Sequence, residues 1–216
     1  MQTLVNLEKI NRKYPFLQYN KKEKAFIGYI YIDEDDKYKL RIEIEKFPDS
    51  FPRVFEIEER IPRKVDRHIN NDNTLCFTTK PNEEILLKTL ITSIEDFIEK
   101  ILIPYLVNNS YYEINGEYMF GEYNHHPQIS IYETYKDLLG INNHYHIANI
   151  LKEVASGKKY RPNDICYCGS NKKIKKCGNH ENAYRKLKKI NSKRLLSDSI
   201  NILELTKTVP NILYSQ

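Results

Sequence analysis

Three cysteines and one histidine lie close together in the last quarter of the chain. Cys166, Cys168, Cys177 and His180 follow one another with the spacing C-x-C-x8-C-x2-H. Three thiolates and one imidazole fill a tetrahedral zinc site and leave no position for water, as in structural rather than catalytic zinc sites. The sequence therefore predicts a structural Zn²⁺ site. The alternative, three unrelated thiols beside a surface histidine, fits so tight a cluster less well.

A fourth cysteine, Cys76, stands apart from this cluster, near the end of a segment rich in Asn and Asp. A thiol is intrinsically nucleophilic and can accept an acyl group from an activated thioester without a catalytic triad. Asn70 offers an amide that could stabilise an oxyanion, and His68 offers either a general base or a structural hydrogen bond. The alternatives are that Cys76 is a small buried hydrophobe and that Asn70 only forms a turn. The residues alone leave these alternatives open.

The segments before Cys76 predict a small antiparallel sheet that would position it. Apolar and polar residues alternate with period two at 25–32 and at 38–45, as in half-buried strands. A third strand is expected at 54–58. Between 61 and 77 the periodicity disappears, so we expect a long irregular loop, the kind of segment that often carries function.

Helical periodicity dominates the rest of the chain. Apolar residues at helical spacing predict one long helix from 83 to 103, capped by Asn82 and ended by Pro104. The other predicted helices are at 4–10, 128–139, 143–155 and 181–205. We therefore expect an α+β protein in which an antiparallel β-meander is packed by helices and is followed by a small zinc knuckle and a basic helical tail.

The charge distribution divides the chain after Ala155. Residues 1–155 contain 20 basic and 25 acidic side chains, a net charge of −5, whereas residues 156–216 contain 14 basic and four acidic side chains, a net charge of +10. We predict a domain at 1–155, a zinc module at 156–180 and a basic helical tail at 181–216. The basic part suits an acidic partner, either nucleic acid or an acidic protein face. The alternative is a solvated basic surface.

Composition and the N-terminal residues exclude several classes of protein. The chain is 40% hydrophobic and 29% charged, which is typical of a folded globular protein and not of a disordered one. No apolar run approaches the roughly 20 residues that cross a bilayer. The first ten residues show no secretory signal, so we expect a cytoplasmic protein, in which a disulfide framework would fit poorly.

The order of features around Cys76 resembles the ubiquitin-conjugating enzyme fold, in particular its bacterial relatives from antiphage defence and ubiquitin-like modification operons. The resemblance covers roughly residues 1–140. It depends on the order of helix and strands, the Phe-Pro segment at 47–52, a His-x-Asn sequence at 68–70, and Leu75-Cys76 before a helix. In this family the proline of a His-Pro-Asn motif stands where this chain has Ile69, and the asparagine lies farther from the cysteine than Asn70 does.

The resemblance implies roles for the site residues. Cys76 would be the nucleophile that receives the C-terminus of a ubiquitin-like protein, or of a defence-system protein tail, as a thioester. Asn70 would help stabilise the oxyanion, and His68 would shape the loop. The implied partners are an activating enzyme, the ubiquitin-like donor and an acceptor protein with an amine.

The cysteine cluster resembles the SEC-C motif, the small zinc-binding module at the C-terminus of the SecA preprotein translocase ATPase and on many unrelated bacterial proteins. The shared features are the Cys-x-Cys-Gly-Ser start at 166–170 and the lysine pairs before Cys177. In the motif the last ligand directly follows the third cysteine, where this chain has Gly178, so His180 is taken as the fourth ligand. Because so small a module has little core, we expect the metal to supply most of its folding free energy, on the order of 10 kcal/mol.

Three functional hypotheses follow. The first is a ubiquitin-conjugating-like cysteine transferase with a structural zinc module. The second is a non-catalytic adaptor of the same fold whose zinc module recruits a protein or nucleic-acid partner. A covalent adduct on Cys76 would distinguish these two. The third is nucleic-acid binding through the basic tail, with a steep salt dependence retained by residues 156–216 alone.

Overall fold

The structure, a computed structural model, describes residues 6–119, 122 and 124–208. Two compact units make up the fold. Unit 1 takes its described residues from Met1–Thr78 and Leu86–Glu122, and unit 2 takes its described residues from Thr79–Ile85 and Tyr123–Gln216. Unit 1 contains a four-stranded antiparallel sheet together with helices, so the α+β class is confirmed.

The sheet of unit 1 is a simple meander in the order β1-β2-β3-β4. Its strands are β1 (Leu17–Asn20), β2 (Ala25–Tyr31), β3 (Lys37–Glu43) and β4 (Arg53–Glu56). The three predicted strands are confirmed to within two residues at each end. Strand β1 was not predicted from the sequence. In β3 the alternation buries Tyr38, Leu40 and Ile42 on one face.

A glycine allows β1 to pair closely with β2. Gly28 lies opposite Leu17 and has a φ of +144°. A Cβ atom at this position would lie 1.9 Å from the carbonyl oxygen of Phe16. Only glycine therefore permits this register, since any side chain would collide with the neighbouring backbone.

The helix before the sheet is α1 (Leu7–Lys13), whose first turn is capped by the Asn6 side chain accepting from the Lys9 N–H at 3.0 Å. It agrees with the helix predicted at 4–10, of which residues 4 and 5 lie outside the described residues. Ile10 is the buried residue of this helix and joins the core beneath the sheet.

The prediction of one helix from 83 to 103 is wrong. The segment forms α2 (Lys80–Leu87), then a turn, then α3 (Ile94–Phe97), a π-helical turn (Ile98–Leu102) and α4 (Ile103–Asn115). A capping sequence starts α3 after the turn. The Ser93 hydroxyl accepts from the Asp96 N–H at 3.1 Å, and the Asp96 carboxylate accepts from the Thr92 N–H at 3.0 Å.

The predicted helix cap at Asn82 and helix end at Pro104 are also wrong. Pro104 does not end a helix. It lies in the first turn of α4, directly after the π-helical turn, and the chain stays helical through it. Asn82 lies inside α2 instead of capping it, because α2 already begins at Lys80.

Unit 1 has one hydrophobic core between the sheet and the helices that follow it. Aromatic rings form its centre: Phe77 packs edge-on against Phe97 and Tyr105, with ring centroids 5.3 and 5.1 Å away. Phe51, from the Phe-Pro segment, contacts both Phe77 and Phe97. The residue that follows Cys76 is therefore anchored in the core of this unit.

Unit 2 contains the first six residues of α2 and four further helices, which are α5 (Pro127–Leu139), α6 (His144–Ala155), α7 (His180–Leu187) and α8 (Ser192–Thr208). The helices predicted at 128–139 and 143–155 are confirmed. Gly140 ends α5 with a φ of +64°, and the Asn143 side chain caps α6 by accepting from the His146 N–H at 2.9 Å.

The tail predicted as one helix at 181–205 is instead two helices. The Asn191 side chain accepts from the Lys193 N–H at 2.8 Å and starts α8 after the chain has turned at Lys189. Residues 209–216 of the predicted basic tail lie outside the described residues.

The segment that carries the cysteine cluster contributes to the core of unit 2. Cys166, Ile174 and Cys177 belong to the same buried cluster as residues of α5, α6, α7 and α8. The structure groups 123–155 with the C-terminal part, whereas the sequence placed a boundary after Ala155. The physical reason is that α6 packs along α8. None of the helices in the described part is long and apolar enough to span a membrane.

Candidate functional site

The cysteine cluster is held by a short hairpin followed by a helix start. Ile165 and Lys173 form an isolated antiparallel bridge, and the Cys166 N–H donates to the Lys172 carbonyl at 2.8 Å. Gly169 turns the chain with a φ of +81°. After a single 3-10 turn at Ile174–Lys176, Cys177 is in place and His180 begins α7.

The four predicted ligands come together in unit 2. Their ligand atoms all lie within 4.8 Å of one another. The Nδ1 atom of His180 is 3.2 Å from the sulfur of Cys166 and 3.3 Å from that of Cys177, and the sulfurs of Cys168 and Cys177 are 3.5 Å apart. Atoms bound tetrahedrally to zinc at about 2.0–2.3 Å lie roughly 3.5–3.8 Å from one another, so the cluster fits one metal ion after small movements.

The pKa values of two thiols in the cluster are shifted in opposite directions. Burial raises the pKa of Cys166 to about 12. For Cys168 burial also raises the pKa, but hydrogen bonds from Ser170 outweigh it and the pKa falls to about 7. A bound divalent cation would keep all three sulfurs deprotonated, since its charge dominates the local electrostatics.

Neighbouring groups orient the ligands. The hydroxyl of Ser170 is 3.1 Å from the sulfur of Cys177, a contact that supports a thiolate. The Tyr167 hydroxyl donates to the backbone carbonyl of His180 at 2.8 Å. Gly140, at the end of α5, lies beside the ring, since a Cβ there would be in ordinary van der Waals contact with the His180 Nε2 atom at 3.5 Å.

Cys76 lies in unit 1, on the second arm of a short loop beside the core. Its N–H donates to the His68 carbonyl at 2.8 Å. Ile69 and Leu75 pair across the loop and are buried, and the Leu75 N–H donates to Val54 in β4 at 2.8 Å. Cys76 itself is half-buried, and its backbone is fixed by the hydrogen bond to His68.

Asn70 lies on the opposite arm of this loop and is exposed. Its side-chain N–H donates to the Thr74 hydroxyl at 3.0 Å, and its backbone N–H donates to the Thr74 carbonyl at 2.8 Å. The Thr74 hydroxyl in turn donates to Asp72 at 2.6 Å, and Asp72 pairs with Arg53 at 3.1 Å. These contacts hold the Asn70 amide within the loop. Asn70 therefore has a structural part in the turn whether or not its second amide hydrogen serves an oxyanion.

His68 shapes the loop through its backbone and its ring. Its φ of +53° is left-handed, and its carbonyl accepts both the Cys76 N–H and the Tyr105 hydroxyl, the latter at 3.0 Å. The Nε2 atom of the ring is 2.8 Å from a carboxylate oxygen of Glu122, and the ring packs against Tyr118 with centroids 5.1 Å apart. This geometry agrees with the loop-shaping role that the resemblance implies.

Two residues near this loop were missed by the sequence interpretation. Arg67 is only 8% exposed; it donates to Asn109 at 3.1 Å and lies over the Tyr112 ring at 4.3 Å. Tyr105 reaches the carbonyl of His68, and burial raises its pKa. The signal was available: Tyr105, Asn109 and Tyr112 are spaced i, i+4, i+7 and so share one face of α4.

The structure thus brings the four predicted metal ligands into one cluster and places His68, Asn70 and Cys76 on the two arms of one loop. Comparisons of the chain with protein-family models, curated proteins and solved structures found no match.

Proposed function

We propose that the protein is a cysteine-dependent acyl transferase of the ubiquitin-conjugating type, with the thioester formed on Cys76. The observation that carries the proposal is the setting of this thiol: a half-buried cysteine whose backbone is fixed to His68, next to the core of an antiparallel meander. The order of helix, meander, irregular segment and helices agrees with the family resemblance. Cys76 is also the one cysteine of four outside the metal cluster.

The proposed first step needs only the thiol and an activated donor. The sulfur of the Cys76 thiolate attacks the carbonyl carbon of the donor thioester and forms a new S–C bond. The C–S bond of the donor breaks, and the departing sulfur leaves as a thiolate with the electron pair. An amine of an acceptor protein then takes the acyl group from Cys76. The donor would be the C-terminus of a ubiquitin-like protein, or of a defence-system protein, delivered by an activating enzyme.

The metal cluster has a structural part in this proposal. Cys166, Cys168, Cys177 and His180 would hold Zn²⁺, which supplies four bonds that tie the hairpin to α7. With three thiolates and one imidazole bound, the ion keeps no position for substrate. We therefore assign no step of the transfer to it.

A specific observation favours the second candidate, a non-catalytic adaptor of the same fold. The Asn70 amide already bonds the Thr74 hydroxyl. The residue after Cys76, Phe77, is packed among Phe97 and Tyr105. In this case Cys76 would be a packing residue and the metal-binding unit would recruit a partner.

The deciding experiment measures acyl transfer to Cys76. The probe is a short peptide that ends in glycine and carries a C-terminal alkyl thioester. The full chain, loaded with zinc so that three cysteines are protected, is mixed with the peptide at neutral pH, and the adduct is followed by intact mass spectrometry and located by peptide mapping. We expect one adduct per chain, on Cys76, formed at least tenfold faster than the adduct on Cys76 of the same chain unfolded in urea, where all four thiols are free.

Two variants make the result specific. Cys76→Ala should give no adduct, and Cys76→Ser should give an oxyester that resists thiol reductant, unlike the thioester. Equal adduct formation in Cys76→Ala, or a native rate no faster than that of the unfolded chain, would contradict the transferase and favour the adaptor.

A further inference from the structure

Unit 2 carries a group of exposed lysines around its metal cluster. Four of them lie on the hairpin between the second and third cysteines, and two lie on or after α7. We call them the lysine cluster: Lys172, Lys173, Lys175, Lys176, Lys186 and Lys193.

The charges of the lysine cluster are not neutralised by the protein. No member makes an ion pair with an acidic side chain in the described part of the chain, whereas Arg185 pairs with Glu181 and Arg194 pairs with Glu84. Between Lys172 and Lys193 the only acidic residue is Glu181. Unpaired like charges that are held close together repel one another, and an anionic partner would relieve that repulsion.

The hairpin lysines and Lys186 lie on two elements that meet at the candidate ligands Cys177 and His180. Lys176 directly precedes the ligand Cys177, and α7 begins at the ligand His180. Lys186 follows six residues later, about 9 Å along a helix axis. Nucleic acids carry a negative charge every few ångströms along each strand, so several phosphates can face these lysines at once.

The segment from Lys172 to Lys193 exposes no large apolar side chain, and the exposed apolar residues nearest to it in sequence are Ile165 before it and Leu196, Ile200 and Leu203 further along α8. Protein interfaces depend on buried aromatic or aliphatic residues at their centre. Tyr167 and Tyr184 are buried, so neither can stack on a base.

We propose that the lysine cluster of unit 2 binds the phosphate backbone of a nucleic acid without reading its base sequence. Lysine suits this partner, since each ammonium acts as a point charge toward phosphate and needs no bidentate geometry. The proposal is independent of the chemistry at Cys76.

The test measures binding of the zinc-loaded full chain to labelled nucleic acids by fluorescence anisotropy over a range of salt concentrations. The probes are mixed-sequence duplex DNA, duplex RNA and single-stranded RNA, each of about 20 nucleotides per strand. We expect binding with a slope of log K against log salt of about −3 to −5, and less than threefold dependence on sequence within one probe type. The three probes distinguish the possible sources of the phosphate backbone.

A charge-matched pair of variants localises the site. Replacement of Lys172, Lys173, Lys175 and Lys176 by Gln should weaken binding at least tenfold and reduce the slope by about two to four. The control replaces four exposed lysines of unit 1 by Gln and removes the same formal charge: Lys21, Lys22, Lys24 and Lys46. The control should change the affinity less than threefold, and both variants should keep their zinc content.

Several results would overturn the proposal. These are absence of binding at low salt, equal loss in the two variants, or equal affinity for a poly-glutamate peptide of matched charge, which would make an acidic protein the partner. Tighter binding to vesicles containing anionic lipid than to any nucleic acid would assign the surface to a membrane instead.

Discussion

On the loop, the Ile69–Leu75 pair separates Cys76 from the hydrogen-bonded pair Asn70–Thr74. The Asn70–Thr74 bond allows the role of Asn70 to be tested with two variants. If the second amide hydrogen of Asn70 serves the oxyanion, Asn70→Ala should slow transfer from the peptide thioester by ten- to a thousandfold. Single-turnover mass spectrometry measures this rate, and thermal unfolding reports the fold.

Thr74→Val is the control for this prediction. It removes the hydroxyl that accepts from Asn70 but keeps the amide, so it should cost about 1 kcal/mol of stability and change the rate much less. Equal transfer rates in the wild type and Asn70→Ala would leave Asn70 as a turn residue only.

The metal ligands differ in what their loss removes. Cys168→Ala deletes a negatively charged thiolate, whereas His180→Ala deletes a neutral ligand whose place a water molecule can take. We therefore expect zinc affinity to fall further in Cys168→Ala than in His180→Ala, as measured by competition with a chromophoric chelator. A larger loss in His180→Ala would contradict this order and require a different ligand set.

Spacing predicted the metal ligands because all four lie within 15 residues and their chemistry is specific to metals. The surroundings of Cys76 were less predictable, because they come from residues distant in the chain. The Tyr105 hydroxyl on α4 and the Glu122 carboxylate complete the hydrogen bonds of His68. A side chain brought in by tertiary packing leaves no local pattern around the residue that it contacts.

At the scale of elements, periodicity identified the apolar faces correctly but not the helix ends. Ile91, Ile94 and Phe97 are all buried, as a helix over this region predicted, yet a turn separates α2 from α3. Helical spacing of apolar residues continues across the turn because Leu86 and Leu87, at the end of α2, pack against the same core as Ile91, Ile94 and Phe97. The signal for the break was Thr92-Ser93-x-x-Asp96, a capping sequence inside an apparently continuous pattern.

This cap supports a prediction about acid stability. Hydrogen bonds from Lys100 and Thr92 hold the pKa of Asp96 well below its usual value. A lowered pKa means that Asp96 stabilises the fold above its unfolded pKa of about 4 and that this contribution is lost as the pH falls below it. Asp96→Asn should therefore lower the midpoint of urea unfolding at pH 7 and have a smaller effect near pH 2.

Ser93→Ala serves as a pH-independent comparison. It removes the other half of the cap and should cost about 1 kcal/mol at both pH values. If Asp96→Asn were equally destabilising at both pH values, the carboxylate charge would not be the source of the stability.

Helix α8 docks in unit 2 through a buried carboxyl group. Asp198 is 3% exposed and accepts from the Tyr135 hydroxyl on α5 at 2.8 Å, and Ser199 donates to Ala148 on α6 at 2.9 Å. Burial raises the pKa of Asp198, despite the opposing effects of Tyr135 and Arg194. The protonated form is therefore favoured by folding, and its stabilising contribution is lost as the pH rises through the folded pKa.

Asp198→Asn removes this penalty and keeps the acceptor for Tyr135. We expect it to raise the melting temperature at pH 7 to 8 and to lose that advantage below about pH 4, where the carboxyl group is protonated in both states. Tyr135→Phe should destabilise at neutral pH, since it leaves Asp198 without this donor. A melting temperature of Asp198→Asn below that of the wild type at pH 8 would contradict the assignment.

At the scale of the whole molecule, we expect the two units to differ in how far they depend on a metal. The core of unit 1 contains none of the four ligands, whereas Cys166 and Cys177 belong to the core of unit 2 together with residues of its four helices. The sequence predicted a zinc module at 156–180 with little core of its own, folded mostly by the metal. Because the ligands share a core with α7, we expect the effect of metal loss to extend through that helix.

Chelation under reducing conditions, followed by hydrogen exchange and mass spectrometry, measures this difference. We expect faster exchange at 161–187 after metal removal, because zinc binding of this type contributes on the order of 10 kcal/mol to folding. Helices α6 and α8, which pack on each other, should change less. The strands of unit 1 should exchange as before, and acyl transfer to Cys76 should keep its rate. Unchanged exchange at 161–187 would show that the cluster folds without a metal, and equal acceleration in β2 and β3 would show that the metal stabilises both units.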